Sequence, residues 1–60
     1  MARNKVQVFK VEREEDTRLI KGTLRQVEGK LLGEHEITVA SAEDAHALKD
    51  VEIEDATGEP

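Results

Sequence analysis

The stretch RLIKGTLRQVEGKLL, residues 18–32, decides the fold of this chain. Ile20, Leu24, Val27 and Leu31 fall at the i, i+4, i+7, i+11 spacing of one helix face. Asp16 or Thr17 stands where such a helix would be capped. Against one continuous helix, Gly22 and Gly29 would both lie inside it, each at a cost of about 0.8–1.0 kcal/mol relative to alanine. A short helix has little stability to absorb two such losses. The strand reading uses the same glycines, with Gly22 at a bend and Glu28-Gly29 at a tight turn where glycine supplies positive φ. The glycines therefore favour extended backbone over Thr17–Val27, a turn, and a further strand over Lys30–Leu32.

Working outward, KVQVFKVER, residues 5–13, is rich in β-branched and aromatic types and reads as a strand. Val6 and Val8 share one side of it, Phe9 and Val11 the other, which implies burial on both faces or a bulge near Val8-Phe9. The polar run Glu14 to Thr17 reads as a turn. His35 to Ala40 alternates, with Ile37 and Val39 on one side and Glu36 and Thr38 on the other. SAEDAHALKD, residues 41–50, begins with a capping box in which Ser41 meets the amide of Asp44, and reads as a short helix with Ala42, Ala45 and Leu48 along one face. Val51 to Glu54 alternates again as a last strand. Residues 1–4 and 56–60 read as flexible ends of a single domain spanning 1–60.

The expected fold is α+β: a small antiparallel sheet of three to four strands with one short helix on the face offered by Ile37 and Val39. The alternative is a small barrel of the SH3-like or Sm-like type. VQVFKV followed by RLIKGTLRQVEG resembles the opening of Sm-like RNA-binding barrels over Val6–Gly29. The glycine-bearing last strand of that family has no counterpart in LKDVEIED. VFKV with ITVASAEDAHAL is similar to the strand–helix layout of the archaeal ribosomal protein LX, a basic family whose Gly-Ser-x-His stretch is absent here. Neither resemblance carries site residues to this chain.

Size and composition narrow the function. Sixty residues with one aromatic, Phe9, make a thin core and leave few residues to wall a ligand cleft. There are no cysteines, so disulfides and thiolate metal sites are excluded. His35 and His46 match no metal-ligand spacing and read as surface histidines. Adjacent carboxylates such as Glu14-Glu15 and Glu54-Asp55 sit in polar segments, where they stay solvated rather than acquiring the raised pKa of a catalytic acid. No enzyme activity and no cofactor are expected. No apolar run approaches the ~20 residues that span a bilayer, and no hydrophobic leader opens the chain, so a cytoplasmic location with no membrane partner is expected.

Charge is divided along the chain: residues 1–30 carry +3 and residues 31–60 carry −8, within a net charge of −5. One consequence would be ion pairs between the halves. Another would be a basic face for a polyanion, for which the candidate contacts are Lys10, Arg13, Arg18, Lys21 and Arg25. The leading expectation is a small acidic, non-catalytic interaction module that binds a protein partner or itself, as a homodimer, through strand edges. The alternative is an RNA- or ribosome-associated accessory protein that uses the basic first half.

Overall fold

A computed structural model describes residues 5–59. The expectation of frayed backbone over residues 1–4 lies outside the described residues, as does Pro60. The elements run β1 (Gln7–Arg13), β2 (Asp16–Gly22), α1 (Leu24–Lys30), β3 (Glu36–Val39), α2 (Ala42–Ala47) and β4 (Ile53–Asp55). They form a four-stranded sheet in the order β3-β1-β2-β4, with one helix on each face. The chain is a small α+β fold, as its patterning implies. Two details differ from expectation. The sheet is mixed, because β4 runs parallel to β2, and there are two helices rather than one. Among the described residues the sheet ends at β3 and β4 and does not close as a barrel.

The decisive stretch is neither one helix nor two strands; it changes from strand to helix at Thr23. The cause is a second capping box. The Thr23 hydroxyl accepts from the Gln26 amide at 3.1 Å, and Gln26 Oε1 accepts from the Thr23 amide at 3.0 Å. These bonds satisfy donors that the first turn of a helix leaves free. Gly22 closes β2, and Gly29 lies inside α1 with no turn at Glu28-Gly29. The glycine with positive φ is Gly33, at 83°. Lys30–Leu32 forms no strand.

Residues Gln7–Arg13 pair with Asp16–Gly22 without interruption, so β1 has no bulge and its phase change reflects burial on both faces. The turn between them is only Glu14-Glu15, and Glu14 has φ 52°, a region that costs a non-glycine residue about 1–2 kcal/mol.

Register assigns the side chains. Phe9, Val11, Ile20, Ile37 and Val39 share one face, and Val8, Lys10, Leu19, Lys21, Thr38 and Ile53 share the other. The main core lies on the first face, where Val27 of α1 and Ala56 cover Phe9, Val11 and Ile20, with Leu31 and Ile37 packed at the margin. Val27 and Ile20 are completely buried, each worth about 1.5–3 kcal/mol relative to exposure. The helix that closes the core is thus α1. The expected α2 lies over the opposite face, buries no residue, and does not pack on Ile37 and Val39. Ala56, read as part of a flexible end, is 1% exposed, and its amide donates to the Lys21 carbonyl at 2.8 Å. Gln26 Nε2 donates to the carbonyls of Thr57 and Glu59 at 3.1 and 3.0 Å, tying this closing segment to α1.

Candidate functional site

The backbone polarity of the two outer strands follows from a few hydrogen bonds. The Ala40 amide donates to the Val8 carbonyl at 2.9 Å, in register with the Lys10–Thr38 and Glu12–Glu36 partners. Antiparallel pairing alternates, so Glu36, Thr38 and Ala40 turn their N–H and C=O groups toward β1. Ile37 and Val39 turn theirs outward, and among the described residues no hydrogen bond crosses the outer side of β3. By the same logic the Ala56–Lys21 bond leaves the groups of Ile53 and Asp55 on the outer side of β4.

The two edges differ in how they are protected. The β4 edge is three residues long, carries Glu54 and Asp55, and follows Glu52. Short, charged edge strands resist pairing with another chain. The β3 edge is four residues long, and Ile37, Thr38 and Val39 in succession are β-branched and uncharged. No lysine, proline or bulge interrupts it, and Val39 is 53% exposed. This is the edge best suited to receive another strand.

The five basic residues named as polyanion contacts are placed on the register as follows. Lys10 and Lys21 project on the α2 side of the sheet, Arg13 and Arg18 on the α1 side, and Arg25 is exposed on α1. Pairing of β1 with β2 therefore does not gather them onto one face. Two are engaged. Arg18 donates to both oxygens of Glu54, at 2.7 and 2.6 Å, and Lys10 donates to Asp44 at 3.1 Å with Glu12 at 3.6 Å. Both long-range pairs join a base of the first half to an acid of the second, which is the expected charge pairing between the halves. Arg13 lies beside Gly33, its guanidinium 3.6 Å from where a Cβ would stand on that glycine.

These bonds set the titration of the groups involved. The Arg18 hydrogen bonds hold the Glu54 carboxyl below its ordinary range, and the Ser41 amide, with Lys10, does the same for Asp44. Thr57 lowers Asp55 in the same way. The Asp44 bond raises Lys10, and the Glu54 bond raises Arg18. Every displaced carboxyl moves in the direction opposite to that of a general acid.

Surface clefts among the described residues include the following three. One of ≈ 470 Å³ separates α2 from the sheet and is lined by Val8, Leu19, Ala45, Leu48, Val51 and Ile53 among others. Two others, of ≈ 500 and ≈ 540 Å³, flank the loop that carries Gly33, Glu34 and His35. His35 Nδ1 lies 3.3 Å from the Gly33 carbonyl, and His46 is exposed in the last turn of α2. Among the described residues no three His, Asp or Glu side chains converge as metal ligands, and no helix is long and apolar enough to cross a membrane.

The β3 edge has a signal in the sequence, three uncharged β-branched residues in one strand. What sequence lacks is the strand order that places them outermost. Comparison with protein-family models, curated proteins and solved structures gives no significant match, so the reading of function rests on this geometry.

Proposed function

We propose that this chain is a non-catalytic interaction module that takes an extended protein segment along the outer edge of β3. The observation that carries the reading is the outward backbone of Ile37 and Val39 in the uncharged, β-branched run Ile37–Val39 of an edge strand. An added strand would satisfy those groups through main-chain bonds, and its alternate side chains would meet two different rows. On the α1 side it would meet Ile37 and Val39; on the other side, Thr38 and Glu36. An alternation of β-branched apolar and basic residues fits both rows. Glu54 and Asp44, held below their ordinary range by Arg18 and by Ser41 with Lys10, stay charged and serve the fold as ion-pair partners.

A capped octapeptide alternating valine and lysine tests this by amide NMR. Addition to ~1 mM, the range in which short strands dock weakly, is expected to shift the Ile37 and Val39 amides. The same peptide N-methylated on its pairing edge should leave them unmoved. Shifts confined to the β4 edge or the α2 cleft, or none anywhere, would reject the assignment.

A further inference from the structure

We infer that the strand received by β3 is a second copy of β3, paired antiparallel about a two-fold axis through Thr38. This rests on the edge reading above and names its occupant. A hydrogen-bonded antiparallel pair requires outward-facing groups on both strands, and β3 offers these at Ile37 and Val39 alone. Centred on Thr38, Ile37 of each copy faces Val39 of the other, and both pairs exchange two bonds. All four residues of β3 are used. Thr38 meets its own copy as the close, non-hydrogen-bonded pair at the axis, and Glu36 lies opposite Ala40.

The other self-registers fit less well. Centring on Ile37 pairs Val39 with His35, which lies outside the strand, and centring on Val39 pairs Ile37 with Ser41. Centring on Glu36 sets like charges directly opposite and pairs Ile37 with His35 and Val39 with Gly33, both outside the strand. Charge also favours the Thr38 axis. The acidic residues at the start of β3, Glu34 and Glu36, fall at opposite ends of the paired strands rather than on each other. The side chains that meet on the α1 face are Ile37 and Val39, so pairing covers the half-exposed Val39. An isologous contact of this kind closes on itself and yields a dimer with one continuous eight-stranded sheet.

The contact is small, so the pair should form across ~10 µM to ~1 mM, where sedimentation equilibrium can follow it. Val39→Lys should weaken the dimer by roughly tenfold or more, because lysine on an edge opposes pairing. Ile53→Lys on the other edge, at an equally exposed position, should leave it unchanged. Register is read with single cysteines in a chain that has none. Two Thr38→Cys copies would lie about 4.5 Å apart at Cα, within disulfide reach. In oxidised glutathione they should cross-link at least ~10-fold faster than Glu36→Cys copies, which the register holds beyond that reach. Monomer throughout the concentration range, equal loss from Ile53→Lys, or equal cross-linking at the two positions would overturn self-pairing. A monomer whose Ile37 and Val39 amides still respond to the valine–lysine peptide rejects the second copy and keeps the edge reading; a monomer with no response rejects both.

Discussion

The two glycines of the decisive stretch do different work. At Gly22 an added Cβ would stand 3.2 Å from Gln26 Oε1 and 3.3 Å from the Cβ of Ala56. Both neighbours are tied, Gln26 by its capping bonds and Ala56 by its bond to Lys21. At Gly29 an added Cβ meets nothing within 4 Å and replaces a helical glycine. Gly29→Ala is therefore expected to raise stability by about 0.4–1 kcal/mol, by reducing the freedom of the unfolded chain. Gly22→Ala should cost about 1–3 kcal/mol through overpacking. Urea denaturation of the two variants checks the contrast. By composition alone both glycines weigh equally against a helix, because the close approach at Gly22 is created by Ala56, thirty-four positions away.

Among the elements, the two helices share the same cap chemistry and differ in what they cover. Thr23 caps a helix whose Val27 closes the core, and Ser41 caps one none of whose own residues is buried. Thr23→Ala is expected to cost global stability near the upper end of the ~0.5–2 kcal/mol cap range, and Ser41→Ala near the lower end. Urea unfolding followed by circular dichroism reads both. Much at this scale was legible. The strand at residues 7–13, the alternation at 36–39 and the Ser41–Asp44 box all appear as local patterns. The TLRQ box at residues 23–26 is equally present but hidden, because the helical spacing of Ile20, Leu24, Val27 and Leu31 runs through Thr23 and so does not mark it as a start. The parallel pairing of β4 has no local signature at all. Nor does the burial of Ala56, a small residue in a polar segment. The candidate basic contacts were legible as charges, but whether they converge depends on register, which puts Lys10 and Arg18 on opposite faces.

For the whole molecule, acids and bases from the two halves meet at Arg18–Glu54 and Lys10–Asp44, and their titration sets a pH profile. Glu54, Asp44 and Asp55 have lowered pKa values in the folded state. The unfolded chain thus binds more protons in the acid range, and stability rises with pH there. The contribution is fully present above the ordinary carboxylate values of about 4 and is lost as pH falls through the lower, folded values. Lys10 and Arg18, both raised, keep their contribution up to their ordinary values and lose it above, so neutral pH lies on a plateau. Thermal melts from neutral pH downward should show a falling midpoint below about pH 4, and Glu54→Gln should flatten that fall. The side chains of Arg18 and Glu54 are 38% and 35% exposed, so after solvent screening the pair contributes about 0.5–1 kcal/mol.

The docking of residues 53–59 has a consequence for synthesis. Ile53–Asp55 completes the sheet beside β2, Ala56 fills the core next to Ile20, and Thr57 and Glu59 fasten the start of α1. During translation the first two strands can form their hairpin early. The apolar layer beneath α1 stays unsealed until residues 53–59 have been synthesised and have cleared the ribosomal exit tunnel. A nascent chain stalled before Ile53 would display that layer to chaperones.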